Sequence, residues 1–245
     1  MLRHVQHCNV NCRDLGRSVD FYRDELGLHP LVRTAPDPQD GSGFGIDGPA
    51  QWDAWMMSDG RANPVIDLLE WKVPAPGRPP HSSPDALGMI ALRLASPTLN
   101  DTTEVIDPDG TRLVLEPGDA VRFLGVVVNV RDVDASDAWY RRVLGLTGPT
   151  GELSVPGDDF VIRLRPGAPD RPAYANANDL GIFRMAFLVD DATAAVAEAR
   201  RNEAECPDPV LLDMGPTIPI AGLWAAFFRD PDGTCLEFIE SPASA

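Results

Sequence analysis

The sequence predicts an α+β fold made of four similar units, and the main evidence is that the chain repeats itself. A phrase with the order Asn-x-Arg-Asp, Ser, aromatic-Tyr-Arg and Leu-Gly-Leu runs over residues 11–28 and returns over residues 129–146. A second phrase, Asp-Pro-Asp-Gly-Thr, occupies residues 107–111 and 230–234. Internal repetition of this kind indicates a duplicated scaffold in which each copy folds as the same supersecondary unit.

The first unit shows the order of elements that we assign to each copy. Polar and apolar side chains alternate over residues 7–12, which is the period of a half-buried strand. An amphipathic helix follows and ends at Gly27. Its apolar stripe consists of Leu15, Val19, Tyr22 and Leu26. Short strands separated by Gly, Pro and Asp are then predicted around residues 30–33, 54–57 and 65–71.

The other three units follow this order with one exception. The third opens with a strand over residues 125–130 and a helix over 134–144; the fourth opens over 184–189, has a helix over 192–201 and closes with a hairpin over 223–239. The second opens over 89–92, but residues 96–101 are too few and too rich in helix breakers to form a helix. The second unit is therefore predicted to be truncated, with its helix missing.

Length and repetition together predict two domains. A chain of 245 residues accommodates two domains of roughly 100–150 residues. The first is expected to span residues 1–118, with units over 1–72 and 86–118. The second is expected to span residues 119–245, with units over 121–166 and 180–242.

Composition excludes several classes of partner. The formal net charge is −16, and nucleic acids and anionic membranes both require clustered Lys and Arg. No stretch approaches the roughly 18 apolar residues of a membrane span, and residues 1–7 lack the apolar core of a signal peptide. The four cysteines form no Cys-x-x-Cys pattern, which favours reduced thiols in a cytoplasmic protein. A small molecule is the expected partner.

The four units and the two phrases resemble the vicinal oxygen chelate superfamily, which includes glyoxalase I, extradiol dioxygenases and bleomycin resistance proteins. The resemblance covers nearly the whole chain. It implies βαβββ-type units that form two cup-shaped half-barrels of mixed sheet. It also implies that a cup can hold a divalent metal, usually bound by a His on the first strand of a unit and a Glu on the last. In some tandem members the first unit pairs with the fourth and the second with the third.

Carried over residue by residue, the resemblance places polar ligand positions only in the outermost units. The first-strand positions are His7, Met89, Gly125 and Arg184, and the last-strand positions are Asp67, Val114, Arg163 and Glu237. The second and third units therefore cannot hold a hard cation. Pairing of the first unit with the fourth would bring His7 and Glu237 into one cup.

These residues suggest acid–base chemistry on a small oxygenated molecule. Glu237 and His7 are the expected acid–base pair, and Arg184 would stabilise a developing oxyanion. The expected substrate-binding residues are Asn9, Asn11, Asp67, Trp52, Trp55 and Trp224. The reaction would be that of an isomerase, epimerase, lyase or cyclase.

Three alternatives stay open at this point. His7, Asp67 and Glu237 could hold one divalent metal in a glyoxalase- or dioxygenase-type enzyme, although a permanently charged guanidinium at Arg184 would repel it. The expected cofactor is accordingly none, or one divalent metal ion. The protein could instead sequester a ligand or antibiotic without turnover. Structurally, Glu237 and Arg184 could form only a salt bridge, and the tryptophans could belong to the core.

Overall fold

The computed structural model describes residues 2–80, 83–172, 176–217 and 222–240 and has the expected α+β fold. The described residues form three α-helices and two mixed sheets, and none of these helices is long and apolar enough to cross a membrane. The helices are α1 (Leu15–Asp24), α2 (Val133–Leu144) and α3 (Ala192–Arg201), with a short 3₁₀ helix at Ser42–Phe44. The strands are β1 (Leu2–Cys12), β2 (His29–Thr34), β3 (Gln39–Asp40), β4 (Pro49–Ser58), β5 (Val65–Val73), β6 (Gly88–Ser96), β7 (Thr103–Ile106), β8 (Arg112–Pro117), β9 (Arg122–Val130), β10 (Glu152–Leu153), β11 (Val161–Pro166), β12 (Gly181–Val189), β13 (Val210–Leu212), β14 (Leu223–Arg229) and β15 (Cys235–Glu240).

An aspartate begins each of the three helices. The carboxylates of Asp14, Asp132 and Asp191 accept a hydrogen bond from the backbone N–H three residues later. Such a cap satisfies one of the backbone donors that a helix start leaves unpaired. The Arg-Asp of the repeated phrase is thus a helix start signal. The second unit has no equivalent helix, because residues 97–102 connect β6 to β7 as turns, as its sequence predicts.

The two sheets combine units from opposite halves of the sequence. The larger sheet has the strand order β13-β14-β15-β12-β1-β5-β4-β2, with β3 paired to β4, and so joins the first unit to the fourth. The smaller has the order β10-β11-β9-β6-β8-β7 and joins the second unit to the third. The first-with-fourth pairing is therefore the one that the structure adopts. The domain boundary at residues 118–119 stays a prediction, because both sheets are shared between the halves.

Contacts between the two repeated phrases hold neighbouring units together. The hydroxyl of Tyr22 donates to Asp107 at 3.2 Å, and that of Tyr140 donates to Asp230 at 2.9 Å. All four side chains are buried. Because the tyrosine lies in one unit and the aspartate in the next, this bond ties the first unit to the second and the third to the fourth. Recurrence of both phrases reflects this shared contact.

A single large apolar core lies beneath both sheets and the helices. It draws Val10 and Leu68 from the larger sheet, Leu92 and Val128 from the smaller, and Tyr140 from α2. A second apolar cluster belongs to the larger sheet and contains Phe44, Trp52, Trp71, Phe183, Ala225 and Ile239. The larger sheet therefore packs apolar side chains on both of its faces, and the second cluster surrounds the site described next.

Candidate functional site

Four neighbouring central strands of the larger sheet each contribute one charged or titratable side chain to a common point. Glu237 lies on β15, Arg184 on β12, His7 on β1 and Asp67 on β5. Strand register places Arg184 and Asp67 beside Asn9, whereas His7 and Glu237 both pair with Ala186. Each of the four side chains is at least nine-tenths buried. We call them the polar quartet.

Arg184 bridges the two carboxylates of the quartet. Its Nε donates to Oε2 of Glu237 at 2.9 Å, and its Nη2 donates to Oδ2 of Asp67 at 3.1 Å. The Nε2 atom of His7 lies 3.4 Å from Oε2 of Glu237 and 3.9 Å from Oδ2 of Asp67. The expected salt bridge between Glu237 and Arg184 therefore forms, with Asp67 as a second partner.

The charges of the quartet perturb one another strongly. Burial favours the neutral acid at Glu237, but the charge of Arg184 and the neighbouring His7 outweigh burial and hold the pKa of that carboxyl below its ordinary value. Burial likewise opposes the charge of Arg184, yet Glu237 and Asp67 together raise its pKa. Glu237 is accordingly a carboxylate at neutral pH. The quartet thus sets one guanidinium against two acidic side chains, with an imidazole beside them.

Three buried polar atoms of the quartet have no hydrogen-bond partner among the residues that the structure describes. They are Nε2 of His7, Oδ1 of Asp67 and Nη1 of Arg184. Buried polar atoms are almost always paired, and leaving one unpaired costs about 1–3 kcal/mol. Such atoms concentrated at one point are typical of a site that binds a ligand or water.

The quartet lies at a cavity of about 360 Å³ with otherwise mainly apolar walls. Gln6 and Thr34 are the other polar residues that line it. The apolar lining consists of Leu31, Val32, Phe44, Trp52, Met56, Ala62, Val65, Leu188, Leu212, Met214, Leu223 and Ile239. A concave, largely apolar pocket with a few convergent polar groups is the usual form of a small-molecule site.

Strand β3 and the loop after β13 are joined beside this cavity. The side-chain amide of Gln39 donates to the backbone carbonyl of Asp213 at 2.8 Å, and the N–H of Asp213 donates back to the Gln39 side chain at 3.0 Å. Leu212 and Met214, on either side of Asp213, both line the cavity. This reciprocal pair of hydrogen bonds links the first unit to the fourth a second time, outside the central strands of the sheet.

Of the predicted substrate-binding residues, Trp52 and Asp67 line the cavity and the other four do not. Trp55 packs against the large core, and Trp224 is 41% exposed. In a strand, residues an odd number apart point to opposite faces. Trp55 therefore faces away from the side of Trp52, and Trp224 faces away from its neighbour Leu223, which lines the cavity. Trp55 and Trp224 therefore lie outside the cavity lining, and ligand contact by either residue stays a prediction.

The two asparagines have supporting roles instead of lining the cavity. The amide of Asn9 donates to Asp67, to its carbonyl at 3.2 Å and to Oδ2 at 3.3 Å, and so positions that carboxylate. The amide of Asn11 donates to the backbone carbonyls of Ala177 and Asp179. The repeated residue Asn129 does the same with Pro84 and Ala86. Asn11 thus secures the segment before β12, and ligand contact at Asn11 stays a prediction.

Sequence reasoning missed several lining residues. Gln6 precedes His7 and would point away from the cavity in a regular strand, but β1 has an irregularity between Val5 and His7 in its pairing with β12. Phe44 comes from a 3₁₀ helix in a loop, and Met214 comes from the loop after β13. Bulges and loop positions leave no periodic signal. Met56 was signalled by its even spacing from Trp52.

The smaller sheet replaces the quartet with unrelated residues. Asn11 pairs with Gly181 and Asn129 with Gly88, so register aligns Arg184 with Ala91 and corrects the earlier assignment to Met89. Val114 and Gly125 offer no ligand. This sheet does carry charge, because buried Arg93 forms a two-bond pair with Glu116 at 2.7 and 3.0 Å.

The residues of the quartet do not fit a divalent metal as they are arranged. A His and two carboxylates are a suitable donor set. Both carboxylates, however, direct an oxygen to Arg184, whose fixed positive charge lies where a cation would have to bind. Within the described residues, no group of three or more His, Cys, Asp or Glu side chains is arranged to hold a metal ion.

Comparisons with known proteins agree with the fold. The model of the Glyoxalase/Bleomycin resistance protein/Dioxygenase superfamily matches twice, over residues 4–126 and 122–238. The uncharacterized protein YaeR of Escherichia coli is 31% identical over 128 residues, which are 47% of this chain and 92% of YaeR. Glyoxalase I of Zea mays superposes with a TM-score of 0.69 at 15% identity, covering 97% of this chain and 92% of that one.

The similarity to glyoxalase I of Zea mays concerns the fold alone, since the sequence identity is only 15%. The two matches to the family model, in contrast, together span nearly the whole chain. The superfamily described by this model includes enzymes, and these often use a divalent metal. Its members bind small molecules and often form dimers. The chain belongs to the Glyoxalase/Bleomycin resistance protein/Dioxygenase superfamily.

Proposed function

We propose that this protein is a small-molecule enzyme that transfers protons on an oxygenated substrate bound in the cavity of the larger sheet. The observation that carries the proposal is the polar quartet, which gathers a base, a proton donor and a fixed cation from four adjacent strands. The reaction class would be isomerisation, epimerisation, elimination or cyclisation.

Glu237 is the residue that we assign as the base. Its carboxylate is ionised at neutral pH because of Arg184 and His7, so it can accept a proton from a carbon next to a carbonyl. Glu237 would pass this proton to Nε2 of His7, 3.4 Å away, and His7 would return it to the product, so that both side chains end as they began. Nη1 of Arg184 would hydrogen-bond the substrate oxygen as negative charge develops there.

Charge and wall chemistry together define the substrate class. A buried site with two acidic side chains and a single guanidinium disfavours an anionic ligand. Within the described part of the chain, the unpaired donor on Arg184 and the unpaired acceptor on Asp67, with the unpaired Nε2 of His7 beside them, match a molecule with neighbouring carbonyl and hydroxyl groups. The walls, with Trp52 and Phe44, favour an apolar body. An uncharged hydroxy ketone with an aliphatic or aromatic group fits all three.

Exchange of substrate hydrogen with solvent tests this proposal without knowledge of the product. Uncharged hydroxy ketones and their carboxylate analogues would be incubated with the protein in D₂O and followed by ¹H NMR. We expect loss of the signal from the hydrogen next to the carbonyl for at least one uncharged member. Glu237→Gln should abolish that exchange while retaining binding, because an amide matches the shape of the acid but takes no proton.

Glu116→Gln is the matched control for this experiment. Glu116 also pairs with a buried arginine, but on the smaller sheet and away from the cavity. Its replacement should leave the exchange rate unchanged. Undiminished exchange in Glu237→Gln would contradict the assignment of the base.

Sequestration without turnover is the second candidate, and the apolar lining supports it. Most of the residues that surround the cavity have aliphatic, aromatic or Met side chains. Such side chains bind a ligand by burying its apolar surface and take no part in proton transfer. Native mass spectrometry of freshly purified protein distinguishes the two. An unaltered ligand that co-purifies, with no exchange on any tested ketone, would favour sequestration. Glu237→Gln would then change affinity alone.

A further inference from the structure

We propose that the guanidinium of Arg184 takes the place of a divalent cation in this chain, so that removing Arg184 converts His7, Asp67 and Glu237 into a metal site. The inference concerns cation binding and stands apart from the proposed reaction. Its evidence is the geometry of the three donor atoms, the charge of the quartet and its unpaired atoms.

The three donor side chains lie around the guanidinium, although their present arrangement is not that of a metal site. Nitrogen and oxygen ligands bind zinc at about 2.0–2.2 Å, which in a tetrahedral site separates neighbouring ligand atoms by about 3.4 Å. Nε2 of His7 and Oε2 of Glu237 are 3.4 Å apart, and Nε2 of His7 and Oδ2 of Asp67 are 3.9 Å apart. The oxygens that face His7 are the same ones that accept from Arg184.

Charge also assigns the cation role to Arg184. Arg184 is the cation that both acids of the quartet face, since its Nε donates to Glu237 and its Nη2 donates to Asp67. A metal added beside Arg184 would meet a second fixed cation that is fully desolvated and cannot deprotonate at neutral pH. The two cations therefore compete for the same oxygens.

The unpaired atoms are consistent with this substitution. A metal would engage Nε2 of His7 directly, but a guanidinium has only N–H donors and leaves a histidine without a bond. A flat guanidinium also cannot direct all of its donors at two carboxylates, and Nη1 of Arg184 has no partner. An unpaired histidine nitrogen beside an unpaired guanidinium nitrogen is what we expect where an arginine occupies the position of a metal ion.

Cobalt binding tests the inference directly. The wild type, Arg184→Ala and Arg184→Ala with His7→Ala would be titrated with Co²⁺ and followed by visible absorption and calorimetry. We expect no saturable His7-dependent binding in the wild type, one Co²⁺ per chain in Arg184→Ala, and its loss in the double variant. Arg93→Ala is the matched control, because it empties an equally buried arginine position that has no neighbouring triad.

Three results of these Co²⁺ titrations would contradict the role that we propose for Arg184. Stoichiometric, His7-dependent Co²⁺ binding by the wild type would overturn the inference, as would a folded Arg184→Ala that binds no metal. If two uncompensated buried carboxylates prevent Arg184→Ala from folding, it would be refolded with Co²⁺, and Arg184→His would be measured beside it. A folded Arg184→His without a Co²⁺ spectrum would also overturn it. None of these readouts depends on turnover, so failure here leaves the proton-exchange experiment intact.

Discussion

At the scale of single residues, Glu237 makes stability depend on pH in a defined direction. Its folded pKa lies below the ordinary value of 4.5, so the carboxylate stabilises the folded state above that pH and loses this effect as pH falls through the folded pKa. The free energy of unfolding of the wild type, relative to Glu237→Gln, should therefore decrease as the pH is lowered below about 4.5. Urea denaturation at several pH values measures this difference, and a constant difference would contradict the pairing.

A second residue-scale prediction concerns Gly125, which occupies in the smaller sheet the position that His7 occupies in the larger. Gly125 has φ of +156°, and an added Cβ would lie 2.0 Å from the carbonyl oxygen of Val161. Gly125→Ala should lower the free energy of unfolding by more than the roughly 1–3 kcal/mol of backbone strain alone. Gly157→Ala is the control, since it has a positive φ but open space around the Cβ.

Equal losses of stability in the two glycine variants would show that the close approach of Val161 is unimportant. The expected larger loss in Gly125→Ala has a functional meaning as well. No side chain can be introduced at this position without moving β11, so the smaller sheet could not regain a ligand there by one substitution.

At the scale of elements, the tyrosine–aspartate bonds should couple neighbouring units. Tyr140→Phe leaves the buried carboxylate of Asp230 without one of its partners and should lower the free energy of unfolding by about 1–3 kcal/mol. A double-mutant cycle with Asp230→Asn, measured by denaturation, isolates the interaction. The corresponding cycle for Tyr22 and Asp107 should give a coupling of similar size. Additive effects in both cycles would contradict this explanation of the repeated phrases.

Helices and strands differ from strand register in how far the sequence predicts them. The helices and most strands were predictable, because apolar period, aspartate caps and Asp-Pro-Asp-Gly turns all act locally. The gathering of His7, Asp67, Arg184 and Glu237 was predictable only through the distribution of polar positions among the units. Gln6 and the alignment of Arg184 with Ala91 were not, because single-residue strand irregularities shift the register without a compositional signal.

At the scale of the whole molecule, the missing helix of the second unit bears on assembly. Ile106, on β7 at the edge of the smaller sheet, is 49% exposed, and an uncovered apolar surface often belongs to an interface. We expect a homodimer formed at this edge, with Ile106→Arg reducing the molar mass measured by light scattering to that of a monomer. Leu211→Arg, at an equally exposed position on the larger sheet, should leave the dimer intact. A monomeric wild type would contradict this prediction.

The shared larger sheet has a consequence for how the protein is made. The smaller sheet uses a continuous stretch from β6 to β11, and it can pair as soon as that stretch has been synthesised. The quartet needs β1 and β15, the first and last strands described. During synthesis, β1 therefore stays unpaired on its β12 side until β12 has been made, and β15 completes the site after that. The site is therefore among the last parts to form, and a ribosome-stalled product that stops before β15 would contain a paired smaller sheet but lack Glu237.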